Sequence, residues 1–302
     1  MSLVVLGSIN ADLYVEIDRL PAAGETIAGT NAAVRPGGKG ANQAAAAARQ
    51  GCPTRFIGRL GSDPFAGPLR AELAASGCDT GLLATVDGPT GQAFILLQRG
   101  GENSIVIVAG ANHAWSGLDA GSLAAIRSAR CLLLQREVPE AVNLAAAEAA
   151  HAAGVPVVLD AGGAEGPLPA ALLRLLTVLS PNETELARLT DLPTGTDDEV
   201  LTAARQLQAQ GVGTVLVKLG ARGSLLVPPA GPPLRQGIFP VAVVDTTGAG
   251  DCFTASYTVG LVEGLPETVR LRRAAAAAAI CVQGKGAMPS MPSRAAVDAL
   301  AR

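Results

Sequence analysis

Aromatic residues make up only 3% of this 302-residue chain, and that scarcity excludes one class of function. Broad stacking platforms, of the kind that hold single-stranded nucleic acid, need more rings than it has. The net charge of −3 and pI near 5.5 give no electrostatic argument for nucleic acid or an anionic membrane. Histidine is rarer still, with only His113 and His151, and no Cys-x-x-Cys pair occurs, so a zinc centre is not expected. The five scattered cysteines, Cys52, Cys78, Cys131, Cys252 and Cys281, read as reduced and mostly buried thiols. His151 lies in an Ala-rich helical stretch and reads as a surface residue. Long apolar runs are missing too. The longest, Ala274 to Val282, is about half of what a membrane span needs. The opening run Leu3–Leu6 is too short for a signal-peptide core. No Gly-x4-Gly-Lys-Ser/Thr is present, which rules out a P-loop. These absences lead to the expectation of a soluble cytoplasmic protein.

What is present is an apolar fraction of 49%, enough for a sizeable core, arranged in alternation. Short apolar runs (Leu3–Leu6, Arg55–Ile57, Cys131–Leu134, Val155–Leu159, Leu176–Leu179, Thr214–Val217) predict strands. Helical patterns lie between them, at Lys39–Arg49, Pro68–Ala75, Ala141–Ala153, Glu183–Leu189 and Glu199–Gln210. Strand-then-helix order predicts an α/β fold with a mostly parallel sheet covered on both faces. Ligands in such sheets bind beyond the carboxyl ends of the strands. Asn10, Asp12, Glu137, Asp160, Asn182 and Lys218 all fall just after predicted strands. Leu13–Val34 and Gly91–Val108 break the rhythm: rich in strand formers and without a helix, they are expected to pair antiparallel outside the main sheet.

Two constellations carry chemistry. In Val243-Val244-Asp245-Thr246-Thr247-Gly248-Ala249-Gly250-Asp251 an apolar run, read as a strand, opens onto a helix over Phe253–Leu261. The first turn would present the N–H groups of Gly248, Ala249 and Gly250, an anion site with a carboxylate, Asp251, beside it. Taken alone, the turn also reads as a helix start with a capping Asp. The second constellation is Gly7-Ser8-Ile9-Asn10-Ala11-Asp12 with Gly37-Gly38-Lys39-Gly40-Ala41-Asn42-Gln43. Asn10 and Asp12 leave a strand on one side, and Lys39 and Asn42 share a helix face. Gly37 and Gly38 let backbone approach a ligand. One carboxylate, two amides and an ammonium at close quarters suit adjacent hydroxyls. A base beside an anion site, with a polyol pocket, points to phosphoryl transfer to an alcohol.

In sequence, order and separation, these two segments resemble the ribokinase-like (PfkB) family of sugar kinases, and the resemblance runs from Val4 to Pro292. It implies a three-layer sandwich, helices on both faces of a mostly parallel sheet, with a small β-sheet lid. The α/β body would comprise residues 1–12, 36–87 and 110–302, and the lid residues 13–35 and 88–109; two surface hairpins are the alternative. It implies ATP-dependent phosphorylation of D-ribose at the 5-hydroxyl, with Asp251 as base, kept ionised by the helix dipole, and an anion hole at Gly248-Ala249-Gly250. Asn10, Asp12, Gly38, Lys39, Asn42 and Glu137 would hold the sugar. The nucleotide would lie along Lys218-Leu219-Gly220-Ala221-Arg222-Gly223, with Asn182, Gly250 and Ala275. Lys218 stands where the family more often has Thr, and reads either as a phosphate contact or as an exposed strand end. Asp160 replaces a frequent Asn, and Ala275 a frequent polar residue. Mg²⁺ would sit near Asn182-Glu183-Thr184-Glu185, held by Glu185 largely through water, although Asn-x-x-Glu also reads as a capping box. A K⁺ site is implied at Asp245, Thr247, Cys281, Gly284, Gly286 and Ser290, mostly through backbone carbonyls; Asp245 as a simple strand–helix cap is the alternative. Gly284 stands where a larger residue is frequent. A homodimer through the lid is also implied.

Other acceptors (deoxyribose, a ketohexose, a sugar acid or a nucleoside) remain open at this stage. A nucleoside would need an apolar or aromatic clamp, and few aromatics are available. A non-catalytic sugar sensor on the same fold is the reading from another class. An intact Gly-Ala-Gly turn with Asp251 speaks against it.

Overall fold

The computed structural model describes residues 2–100 and 102–302; Met1 of the expected body and Gly101 of the expected lid lie outside them. The chain opens with β1 (Leu3–Leu6), β2 (Asn10–Ile17) and β3 (Asn31–Gly37), then α1 (Lys39–Arg49), β4 (Thr54–Leu60), α2 (Ala66–Ala75) and β5 (Asp79–Thr85). A hairpin follows, β6 (Gly91–Gln98) and β7 (Asn103–Val108). Alternation then resumes with α3 (Ala120–Arg127), β8 (Cys131–Arg136), α4 (Glu140–Ala152), β9 (Val157–Gly163), α5 (Ala170–Leu173) and β10 (Val178–Ser180). Next come α6 (Glu183–Thr190), α7 (Asp197–Ala209), β11 (Thr214–Lys218), β12 (Ser224–Val227) and β13 (Leu234–Gln236). The chain closes with α8 (Ala249–Val262), α9 (Glu267–Cys281) and α10 (Arg294–Leu300).

Nine strands form the main sheet in the order β13-β12-β11-β10-β9-β8-β1-β4-β5. All neighbours are parallel except β11–β12 and β12–β13. Each strand sends alternate side chains to opposite faces, and both faces are covered. Leu132, Leu134, Leu159 and Val217 pack with α3 to α7 on one face. Leu3, Val5, Leu133 and Leu216 pack with α1, α2, α8 and α9 on the other. This is the predicted mostly parallel α/β sandwich. The apolar run at Val243-Val244 is not the expected strand. Both residues are exposed, 62% and 54%, and the backbone N–H groups of Val244 and Asp245 bond to the carbonyl of Val282 instead of a sheet. Their apolar side chains border cavities rather than filling the core. The helix beyond them begins earlier than its periodicity suggests, at Ala249.

A separate four-stranded sheet has the order β3-β2-β6-β7. Each segment is an antiparallel pair, as expected, but the two pairs join through a parallel β2–β6 ladder in which Asn10 faces Gly91. Both segments leave the body at the same end, so their first strands run in the same direction. Asn10 and Asp12 therefore begin the lid's own strand β2 rather than ending a body strand.

Candidate active site

The site forms where the carboxyl ends of the body strands meet the N-termini of α1 and α8. Gly248 precedes α8 with φ 78°, and a Cβ there would stand 2.7 Å from the Cβ of Ala287, so only glycine makes this turn. The N–H groups of Gly248 and Gly250 have no partner among the described residues, whereas that of Ala249 donates to the carbonyl of Thr246 at 3.2 Å. One of the three expected free donors is thus already engaged. Asp251, in the first turn of α8, is 6% exposed. It accepts from Nδ2 of Asn42 and from Nε2 of Gln43, both at 3.0 Å. Burial pushes its carboxyl above the usual range, opposed by the Lys39 ammonium and the two amide donors. Asp251, followed by Asp160 and Glu137, in turn holds Lys39 above its usual value against desolvation.

The residues expected to hold the sugar lie near the start of α1 and the start of β2. Gly38 opens α1 with φ 88°, and a Cβ there would stand 2.8 Å from the backbone of Ile9. The carboxylate of Glu137 caps this helix, accepting from the backbone of Lys39 at 3.0 Å and from the Ser8 hydroxyl at 2.5 Å. Asn10 is held by Asn112, whose Nδ2 donates to its Oδ1 at 2.6 Å. Asp12 takes no hydrogen bond among the described residues. Burial raises its carboxyl to about 7, and the like charges of Glu137 and Asp251 add to the effect. Buried Oδ1 of Asn42 has no partner either, an acceptor in need of a donor.

On the other side of Asp251 lies a cavity of about 550 Å³, bordered by Lys218, Gly220, Ala221, Gly250, Phe253 and Ala275. Leu219 and Arg222 do not line it. Leu219 is in the core, 1% exposed, and the guanidinium of Arg222 bonds to Glu183 and, at 3.2 Å, to Asp197. Ala275 sits in an apolar wall with Ala278, Ala279 and Val282. Lys218 is not an exposed strand end: its ammonium meets Asp160 at 2.6 Å. Asn182 and Glu185 make a complete capping box, each side chain accepting from the other's backbone N–H, at 2.8 and 2.7 Å. The carboxylate of Asp245 ties two loops together, accepting from the backbone and hydroxyl of Thr247 at 2.9 and 2.7 Å and from the backbone of Gly286 at 2.8 Å. Burial would raise Asp245, but these donors and the nearby charge of Arg35 hold it below the usual range. Cys281 is buried beside the carbonyl of Thr247, and a Cβ on Gly284 would collide with the hydroxyl of Ser290.

Sequence reasoning missed Gln43, Ser8 and Asn112. Gln43 and Ser8 lie inside the two motifs, so their polarity was a usable signal. Asn112 comes from a short 3-10 turn (Gly110–His113) far along the chain, and nothing local marks it.

The family model for pfkB family carbohydrate kinases matches residues 1–294. The chain belongs to this family of kinases. It is 50% identical over 301 residues to a ribokinase of Arabidopsis thaliana, across 98% of this chain and 79% of that one. A ribokinase of Haemophilus influenzae is 39% identical over 295 residues, 97% of this chain and 96% of its own. The solved structure of Arabidopsis thaliana ribokinase complexed with ribose and ATP superposes with a TM-score of 0.96 at 49% identity, covering 100% of this chain and 98% of that one. The family and these relatives make the chain a sugar kinase.

Proposed function

We propose that this chain transfers the γ-phosphoryl group of ATP to the 5-hydroxyl of D-ribose. The observation that carries the reading is the position of Asp251. It lies between the polar pocket of Asn10, Asp12, Lys39, Asn42 and Glu137 and the 550 Å³ cavity of Lys218, Gly250 and Ala275, at the free N–H groups of the α8 turn. Asp251 takes the proton of the attacking hydroxyl, and the N–H groups of Gly248 and Gly250 hold the charge of the transferred group. Phosphoryl transfer asks mostly for such positioning and charge stabilisation. The unpartnered oxygen of Asn42 and the unbonded carboxylate of Asp12 accept from ribose hydroxyls, while Lys39 donates to ribose oxygens.

ATP lies in the larger cavity with its base against the apolar wall at Ala275, which fits a purine but offers it no polar partner there. Asn182 pairs through its backbone with Lys218 at the border of this cavity. Glu185 lines a neighbouring cleft with Arg136 and Arg188 and keeps one carboxylate oxygen outside its capping bond, which suits a mostly hydrated Mg²⁺. Mg²⁺ neutralises phosphate charge when bound. The Asp245 loops suit K⁺: Asp245 brings Thr247 and Gly286 together, and the absence of a side chain at Gly284 lets the Ser290 hydroxyl pack against its backbone. We place the protein in the cytoplasm, a reading supported by five unpaired, buried thiols. No helix among the described residues is long and apolar enough to cross a membrane. The lid sheet carries an exposed apolar face that supports a homodimer.

The test is ADP release with Mg·ATP and K⁺ across ribose, deoxyribose, fructose, 2-keto-3-deoxygluconate and adenosine. A preference for ribose of about 100-fold in kcat/KM, roughly 2.7 kcal/mol, is expected. Equal rates with all acceptors would sink the ribose assignment and leave the kinase chemistry.

A further inference from the structure

Asp251 ends a chain of buried amides that reaches through the main sheet. Both of its oxygens accept from amides, Oδ2 from Nδ2 of Asn42 and Oδ1 from Nε2 of Gln43, each at 3.0 Å. Behind Gln43 stands a second amide, for Nε2 of Gln135 donates to its Oε1 at 2.8 Å. The backbone carbonyl of Gln135 accepts in turn from Nδ2 of Asn143 at 2.7 Å. Gln43, Gln135 and Asn143 are all buried. They come from α1, β8 and α4, so the chain crosses from the helix layer on one face of the sheet to the layer on the other.

Stability alone does not call for Gln135. It follows the apolar run Cys131–Leu134 in a strand buried throughout, where a further Leu would extend the same packing. Its Oε1 has no partner among the described residues, which is costly for a buried acceptor. The amide fits because residue 7 is glycine: a Cβ there would stand 2.0 Å from Oε1 of Gln135. What the chain supplies is direction. A side-chain amide has one acceptor end and one donor end. With its Oε1 engaged by Gln135, Gln43 must turn Nε2 toward Asp251. Asn42 lacks such backing, since its Oδ1 has no partner among the described residues. Hydrogen bonds to a carboxylate are stronger than those to the neutral acid, so a donor locked toward Asp251 favours the charged form. Each carboxylate oxygen still keeps a second lone pair for an incoming proton.

We propose that Gln43 and Gln135 are positioning residues for the reaction: Gln135 locks the amide of Gln43 toward Asp251, and the locked donor holds that carboxylate as the base. The inference rests on the kinase reading above. Neither amide exchanges a proton. The acceptor oxygen bonds to the γ-phosphorus, the bond to the bridging oxygen breaks, ADP leaves with that electron pair, and the hydroxyl proton passes to Asp251. Other groups act on the same carboxyl. Burial opposes its charge, Lys39 of α1 favours it, and Asp160 of β9 opposes it. Asp12 of β2 and Cys252 of α8 lie within reach of its charge, and Glu137 shares Lys39 with it. Lys218 of β11 pairs with Asp160 beside the same turn. All of these stay in place when Gln135 alone is replaced, so the amide chain can be tested apart from them.

The test follows kcat against pH for wild type, Q135M and Q43E, with melting curves across the same range. The acid limb of the profile reports protonation of the base. Q135M frees the Gln43 amide to turn, so Asp251 holds its proton more tightly and activity is lost at a pH about one unit higher. On the alkaline side its kcat recovers to within about fivefold of wild type, because the base itself is intact. Q43E keeps the shape and the bond from Gln135 but sets a second carboxylate against Asp251, and the limb moves up by about two pH units. A limb that stays put while kcat falls alike at every pH would show the amides only to fill space and overturn the proposal. Should Q135M fail to fold, Q43E decides by the same criterion. The ionisation of Asp251 is also read without any acceptor, by carbon-13 NMR of protein labelled at the Asp carboxyls, its signal assigned by its loss in D251N. A higher midpoint in Q135M, in a protein that does not phosphorylate ribose, removes the acceptor assignment and leaves the positioning role standing. Equal midpoints in wild type and Q135M overturn that role whatever the acceptor.

Discussion

At the scale of single residues, the site is a set of charges held where water would not leave them comfortable. Asp12 is the clearest case. Its carboxyl is raised from 3.8 to about 7 by burial and by the charges of Glu137 and Asp251. Between those two values the folded chain keeps a proton that the unfolded chain has released, so this group lowers stability as pH rises from about 4 to 7. Above 7 the penalty is constant, on the order of 2–4 kcal/mol. Asp12→Asn is expected to raise the melting temperature of the sugar-free protein at pH 8, with the gain shrinking to nothing by pH 4. The same change raises KM for the sugar about 10- to 100-fold, the worth of a hydrogen bond to a charged group, and leaves KM for ATP alone. Melting curves across pH, paired with kinetics at pH 8, check both halves. A variant less stable at pH 8 would refute the account. Asp251→Asn keeps the shape and the bond from one amide but removes the base; sugar binding by calorimetry should persist while turnover falls by at least about 10²- to 10⁴-fold. A lost sugar affinity with modest loss of rate would assign Asp251 to binding instead.

At the scale of elements, the turn into α8 depends on one glycine. Gly248 has φ 78° and packs against Ala287, so Gly248→Ala strains the backbone and forces the turn away from the loop beyond it. The expected result is a kcat about 10²-fold lower, as for removal of one anion-hole donor, with ribose affinity preserved because α1 is untouched. Stopped-flow transfer and equilibrium sugar binding together test it; unaltered kcat would mean that the turn does not hold the phosphoryl group. The sequence made this turn legible, as it did parts of the body: strand Leu3–Leu6 and helix Lys39–Arg49 have the predicted bounds, since a strand buried on both faces reads as an uninterrupted apolar run and the helix opens directly after a glycine pair. It misled at Val243-Val244, where apolar content marks a cavity border and periodicity cannot tell that from a strand. It also left the Lys218–Asp160 pair as two unrelated oddities. The two residues are 58 positions apart, and their contact depends on strand order, which no local pattern records. The capping box at Asn182 and Glu185 is the converse: both local readings were visible, and the structure adds the hydrogen bonds of one without removing the carboxylate from the other.

At the scale of the whole molecule, the lid has two unlike faces, and register explains how. Asp12 and Tyr14 point to one side of β2, and Tyr14 borders the cleft toward Asp245. Leu13 between them points away and lies in a row with Val34, Phe94 and Val106 across all four strands. Val34, Phe94 and Val106 are 56%, 40% and 63% exposed, an apolar row ending on the edge strand β7. A flat apolar face with an open edge is a surface that soluble proteins cover. A second copy covers it symmetrically if the lids pair face to face. Light scattering should therefore give a dimer for the wild type and a monomer for Phe94→Glu/Val106→Glu. A wild type that is monomeric at assay concentrations would refute the lid interface. Because Asn10 and Asp12 belong to the same sheet, loosening it should raise KM for the sugar several-fold while KM for ATP, which we propose the body binds, stays constant. An equal rise in both constants would mean that the lid holds the body together rather than the sugar in place.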